Sequence, residues 1–231
     1  MMLVIGDVHG HLELLKALLG KYGVAPGAQV CLVGDLIDRG PDSRGVVRYV
    51  RESGIRTVLG NHERMMLDTL LPVLDGLPAP RESRQLWLAN GGRATLISYG
   101  FTPENGDAYL NAKVGLPPDL VEDLRWMEGL PHYLEFPEEV DTQGRYLVVS
   151  HSNCLTFWEN RDHPIALEGI LWDRDQAFDH RDDPQGVFNV FGHTPLSEVY
   201  CLGNFACVDT GAYHTGRLSG ITFPGKLKYS S

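Results

Sequence analysis

Long apolar runs are missing from this chain. None approaches the roughly 18 consecutive apolar residues of a membrane-crossing helix. A basic leader is missing too. The first apolar stretch meets Asp7 almost at once, so no secretory signal peptide is expected. Positive charge is scarce: 20 Lys and Arg stand against 30 Asp and Glu, a formal net charge of −10 at pH 7. Broad nucleic-acid binding needs a basic face and is not expected. Phosphate-bearing substrates are not excluded, because bound cations would dominate the local field. Cysteine is sparse. Cys31, Cys154, Cys201 and Cys207 form no C-x-x-C pair and are expected as reduced, mostly buried thiols of a cytoplasmic protein. None has an arginine six positions later, which disfavours a cysteine nucleophile. No Gly-rich loop ends in Gly-Lys-Ser/Thr. There is no internal repeat and no low-complexity tract.

What is present is a repeated junction. Five apolar runs each end in polar residues of a restricted kind. Leu3-Val4-Ile5 precedes Gly6-Asp7-Val8-His9-Gly10, and Val30 to Val33 precedes Gly34-Asp35-Leu36-Ile37-Asp38-Arg39-Gly40. Thr57-Val58-Leu59 precedes Gly60-Asn61-His62-Glu63, Tyr146 to Val149 precedes Ser150-His151, and Val187 to Phe191 precedes Gly192-His193-Thr194. Open α/β sheets gather ligands beyond the carboxyl ends of their strands. Three Asp, one Asn and four His are thus expected on one crest. That donor set suits two divalent cations and the hydrolysis of phosphate esters.

The chain reads as one domain over residues 1–231, and its 43% hydrophobic content supplies ample core. Residues 2–63 read strand, helix, strand, helix, strand. The first helix is expected from about His9 to Tyr22, with Leu12, Leu15 and Leu19 on one face. Pro26-Gly27 breaks the chain before the next strand. A second helix follows Pro41-Asp42-Ser43, with Val46, Val47 and Val50 inward. Residues 64 to about 130 read as a helical insertion, cut by Pro72, Pro78, Pro80, Gly91-Gly92, Gly100 and Pro117-Pro118, covering one side of the site. Strands dominate after Tyr133. Phe188 to Phe191, Glu198 to Leu202, Phe205 to Val208 and Leu218 to Phe223 are expected as a late antiparallel set with Gly203-Asn204 as a hairpin turn. Residues 156–186 are expected as loops around the site. The fold class is α/β (α+β): a two-sheet β-sandwich flanked by helices.

Each motif has a plain structural alternative. Asp7 and His9 lie at i and i+2, on one side of an extended segment, where both reach one ion. The alternative makes Asp7 a helix cap. Gly-Asp turns are common, but Gly-Asp-x-x-Asp-Arg-Gly adds a bridging carboxylate, a supporting carboxylate and a guanidinium within a few residues. Asn61-His62 sets a neutral oxygen beside an imidazole. Alone it is an ordinary helix start with Glu63. His151 and His193 gain weight because each directly follows an apolar run. His11, His132, His163, His180 and His214 are expected as structural or surface residues, His11 alone lying beside a motif. Cys154, three residues after His151, is a weak candidate for a place near the site. Asp173-Arg174-Asp175 imitates an aspartyl-phosphate nucleophile, but Ala177 stands where Thr or Val belongs.

These motifs resemble those of the calcineurin-like metallophosphoesterases. Trp87-Leu88-Ala89-Asn90-Gly91-Gly92, Leu171-Trp172-Asp173-Arg174 and Val208-Asp209-Thr210-Gly211-Ala212 narrow the resemblance to bacterial and phage serine/threonine protein phosphatases, over roughly residues 2–223. The resemblance implies that Asp7, His9 and Asp35 hold a first metal. Asp35 bridges to a second, completed by Asn61, His151 and His193. It implies His62 as general acid, oriented by Asp38, and Arg39, Arg174 and Asn61 on the substrate phosphate. Mn²⁺ is the implied activating ion, with Fe or Zn²⁺ as alternatives. Two cations lower the pKa of a water between them, and the hydroxide attacks phosphorus.

Two departures concern the rim: His11 stands where Cys is frequent, and Ser152 where Ala or Gly is common. Symmetric diadenosine tetraphosphatases share most motifs but tend to carry Asp at the position of Glu63, which favours the phosphatase. A third reading, a non-catalytic binding module, has no use for the complete ligand set, His62 and both arginines. A monomer acting on phosphoproteins or small phosphoesters, apart from membranes and nucleic acid, is expected.

Overall fold

The computed structural model describes residues 1–23, 29–102, 115–178, 186–225 and 228–231. Strands β1 (Met2–Ile5), β2 (Val30–Leu32) and β3 (Arg56–Thr57) run parallel. Helices Leu12–Tyr22 and Ser43–Glu52 provide the crossovers that parallel pairing requires. Asp42 caps the second, accepting from Gly45 N at 2.9 Å. Later in the chain come β4 (Tyr133–Val140), β5 (Tyr146–Ser150), β6 (Val187–Phe191), β7 (Tyr200–Leu202), β8 (Phe205–Cys207), β9 (Ser219–Phe223) and β10 (Lys228–Ser230). They complete two five-stranded sheets, ordered β10-β9-β1-β2-β3 and β4-β5-β6-β8-β7.

Alternation along the strands builds the layers. Leu3, Ile5, Val30 and Leu32 face the helices, with Leu15, Leu18, Val46 and Val50. Met2, Val4, Cys31 and Val33 face the other sheet and meet Leu147, Val149, Phe188, Val190, Ala206 and Val208. Val148 and Val187 point outward from the second sheet under Trp158 and Ile170. Every central strand is covered on both faces, which is why each reads as a continuous apolar run. Each fully buried aliphatic side chain contributes about 1.5–3 kcal/mol.

Several expectations need correction. The strands after residue 187 are not one antiparallel set. β6 pairs parallel with β8, β7–β8 is an antiparallel hairpin, and β9 crosses to the first sheet, where it pairs antiparallel with both β1 and β10. A run buried on both faces carries no sign of its partner or direction. Residues 156–186 are not simply loops: a 3₁₀ turn covers Leu155–Asn160 and an α-helix covers Pro164–Trp172. Pro164 opens that helix where its missing N–H costs nothing, and Ala166, Ile170 and Leu171 bury its inner side. Pro72 lies inside helix Asn61–Leu74 rather than ending it. The first helix begins at Leu12, because His9 and Gly10 hold left-handed conformations. Helices Arg81–Trp87, Arg93–Ser98 and Pro118–Glu128 follow Asn61–Leu74, with a π-helical turn at Leu88–Gly92. Pro26-Gly27, His180 and residues 179–185 of the expected loop lie outside the described residues. Among the described residues no helix is long and apolar enough to cross a membrane.

Candidate metal centre

The strand ends deliver the expected residues to one place. Asp7 leaves β1, the Asp35–Arg39 loop leaves β2, Asn61 and His62 open a helix after β3, His151 leaves β5 and His193 leaves β6. Asp7, His9, Asp35, Asp38, Asn61, His62, His151 and His193 are all buried. The backbone is strained here. Among the described residues, the non-glycine positions with positive φ are His9, Asp35, Asp38, Arg39 and His193, every one a candidate site residue. The loops also touch: a β-carbon on Gly34 would lie 2.6 Å from Gly60 N.

Asp35 stands between two groups of donors. Its Oδ2 lies 3.5 Å from His9 Nε2 and 3.9 Å from His62 Nε2. Its Oδ1 lies 3.4 Å from His151 Nε2. Ligand atoms of His9, Asp35 and His62 form one cluster within 4.8 Å, and those of Asp35, His151 and His193 form a second. Asn61 Oδ1 joins the second, 2.9 Å from His151 Nε2 and 3.2 Å from His193 Nδ1. Asp7 is less central than expected, since both its carboxylate oxygens accept from His193 N at 3.2 Å. Asp209 lies near enough to repel it.

The chemistry of these donors fits cations. His151 Nδ1 donates to Val33 O at 2.8 Å, so its Nε2 presents a lone pair to the oxygens of Asp35 and Asn61. His9 Nδ1 donates to Ile37 O at 2.8 Å, so its Nε2 presents a lone pair that accepts from Arg39 Nη1 at 2.8 Å and lies 3.5 Å from Asp35 Oδ2. Buried acceptors aimed at acceptors repel unless a cation lies among them. Burial lowers His9 and His193 to about 3 and lowers His151 as well, keeping these rings in the neutral form that ligates. His62 differs. Burial pulls it down, but the carboxylates of Asp35 and Asp38 outweigh that and leave it raised. Asp35 moves well below the usual carboxylate range: burial pushes it up, and attraction to nearby imidazoles in their charged form pulls it further down.

Supporting contacts surround this crest, and few of them are visible in the sequence. His62 Nδ1 lies 2.6 Å from Asp38 Oδ2. Asp38 also accepts from Trp87 Nε1 at 3.1 Å and from Thr95 Oγ1 at 2.6 Å. Trp87 had shown only as part of a resembling string, and Thr95 not at all. Glu63 does more than start a helix: its oxygens accept from the backbone N of Asp35, Leu36, Ile37 and Gly60 at 2.8–3.3 Å. Glu63→Gln aims an amide N–H₂ at backbone donors. It is expected to destabilise the fold by at least about 1–3 kcal/mol. An unchanged urea midpoint would count against this role.

The two arginines bracket the clusters. Arg39 Nη1 lies 2.8 Å from His9 Nε2, and Arg174 Nε lies 3.1 Å from His193 Nε2. The remaining described histidines are elsewhere or structural. His163 caps helix Pro164–Trp172, and His11 Nδ1 lies 2.6 Å from His9 O. Ser152 Oγ donates to Gly169 O and Ile170 O, tying that helix to the His151 loop. Cys154 is not at the centre. It is packed with Val148, Trp158 and Ile170, where burial pushes its thiol up to about 12.

Comparison with known proteins agrees with this geometry. The profile of a family described as calcineurin-like phosphoesterase matches residues 2–218. The chain belongs to this family. It is therefore a phosphoesterase, a hydrolase whose family works with divalent metal. Serine/threonine-protein phosphatase 1 of Salmonella typhimurium is 31% identical over 220 residues, 94% of this chain and 88% of the relative. A symmetrical bis(5'-nucleosyl)-tetraphosphatase of Shigella dysenteriae is 43% identical over 174 residues, 73% of this chain and 49% of the relative. A crystal structure described as a putative diadenosine tetraphosphatase shares the fold, with a TM-score of 0.61 at 20% identity, covering 100% of this chain and 92% of that one.

Proposed function

We propose that this phosphoesterase is a serine/threonine phosphoprotein phosphatase using two divalent cations, with Mn²⁺ as the activating ion. One observation carries the reading. Asp35 is shared between two donor clusters, with the His62–Asp38 pair beside it. Asp7, His9 and Asp35 would hold one cation. Asp35, Asn61, His151 and His193 would hold the other. When bound, the pair supplies Lewis acidity and an activated water. Arg39 and Arg174 hold the phosphate oxygens with forked donors, which Lys does less well. Asn61 adds a polar contact. His62, oriented through Nδ1 by Asp38, gives its Nε2 proton to the departing alkoxide. We place the chain in the cytoplasm as a monomer, its thiols reduced.

Hydrolysis of diadenosine tetraphosphate is the second reading, favoured by the 43% identity to the tetraphosphatase. The first is preferred because the phosphatase relative aligns over 88% of its length against 49%. Chelation is expected to abolish activity, and Mn²⁺ to restore it. Full turnover in metal-free protein would end the proposal. With Mn²⁺ present, phosphoserine peptides are expected to be hydrolysed well and the dinucleotide poorly. A higher kcat/KM on the dinucleotide, yielding two ADP, transfers the assignment to the second reading.

A further inference from the structure

We propose that Tyr213 and Gly91 together position Arg39 for phosphate binding. The inference rests on reading Arg39 as a phosphate clamp. Gly91 belongs to the string Asn90-Gly91-Gly92, Tyr213 directly follows the string Asp209-Thr210-Gly211-Ala212, and both residues meet this one side chain.

Arg39 has no carboxylate within ion-pair distance among the described residues. Its backbone holds a positive φ of 66°, and its N–H donates to Gly91 O at 3.3 Å. Gly91 sits in the π-helical turn Leu88–Gly92 with φ of 106°. A β-carbon there would lie 2.8 Å from Arg39 Cγ and 2.9 Å from Arg39 N. Only glycine gives both the conformation and the room. At the other end of the side chain, the guanidinium carbon stands 4.3 Å from the Tyr213 ring centroid. The same ring meets His9 edge to face at 5.3 Å. Tyr213 is 39% exposed, so it forms part of the rim as well as a platform. Its short helix, Ala212–Thr215, follows Gly211, whose N–H is held by Asp209 Oδ1 at 2.8 Å.

The physical consequence is preorganisation. A free arginine side chain loses considerable rotamer freedom when it clamps an anion. A guanidinium already seated on an aromatic face, with its root fixed by Gly91, loses less and binds more tightly. Because the guanidinium is seated on a ring and on His9 Nε2, 2.8 Å from Nη1, and its root on a backbone carbonyl, with no carboxylate in the seat, the arginine's charge stays available to phosphate.

The test uses Mn²⁺-loaded protein and inorganic phosphate as probe, read by calorimetric binding and by competitive inhibition. Tyr213→Leu is expected to weaken phosphate binding roughly 2- to 30-fold. KM should rise with kcat changed less, and metal content and melting temperature should hold. Tyr213→Phe keeps the ring and should restore most of the affinity. Gly91→Ala should weaken phosphate in the same direction. In an Arg39→Ala background, Tyr213→Leu should add less than about twofold, since its partner is gone. Equal losses in both backgrounds, or Tyr213→Phe as poor as Tyr213→Leu, overturn the inference. If Arg39→Ala alone leaves phosphate binding unchanged, the clamp reading itself has failed.

Discussion

Asp35→Asn is expected to remove both cations together. Outer partners of metal ligands typically cost 10–100-fold in affinity when lost. A carboxylate facing both clusters should cost at least about 100-fold at each. Asparagine keeps one oxygen but turns an N–H₂ toward the lone pair of either His9 or His151, 3.5 and 3.4 Å away. kcat/KM should fall by at least about 10²–10³-fold, the range for losing one principal electrostatic group. Calorimetric metal titration distinguishes this from Asp7→Asn, expected to weaken one ion more than the other. Two ions bound with near-normal affinity in Asp35→Asn would disprove the shared carboxylate.

His62→Asn should separate substrates. A serine alkoxide is a poor leaving group and needs its proton early, whereas nitrophenolate leaves with little help. Phosphoserine peptides should lose about 10²–10⁴-fold, and p-nitrophenyl phosphate far less. The geometry sharpens the question, because His62 Nε2 also falls within the first donor cluster. Metal content should stay nearly constant if the Asp38 contact at 2.6 Å marks a proton donor. His151→Asn should instead impair both substrates similarly and weaken the second ion. Equal losses for His62→Asn, with metal lost, would make His62 a ligand.

Much of the site was legible because it is built from strand ends. An apolar run stopping at Gly-Asp or at a histidine states where the chain leaves the sheet and what it presents there. Asp35, Asn61, His151 and His193 were readable on that ground. The contacts that orient them were not. Thr95 reaches Asp38 from 57 residues away, and nothing local to a threonine in a helix announces that. Trp87 stands out in the sequence only within a resembling string, and Glu63 as a helix start. The fold was legible in its first half, where helices separate parallel strands. It was misread after residue 187, where β6, β8 and β9 are short buried runs whose partners depend on global packing. The helix at Pro164–Trp172 is not legible because it is short, its apolar residues show no one-sided helical spacing, and its flanks are polar.

The order in which the donors occur along the chain has a consequence for biosynthesis. Asp7, His9 and Asp35, the donors proposed for the first cation, all lie beside the first two strands, so their seat is complete in primary structure once residue 35 has been made. The second seat waits for His151 and His193, and β9 must still be inserted next to β1. Pairing residues about 220 positions apart is slow work for a nascent polypeptide. On the proposed two-cation reading, ion loading on the ribosome would run in sequence: the first seat is encoded early, and the second becomes available only after His193 has been made and β9 has paired with β1.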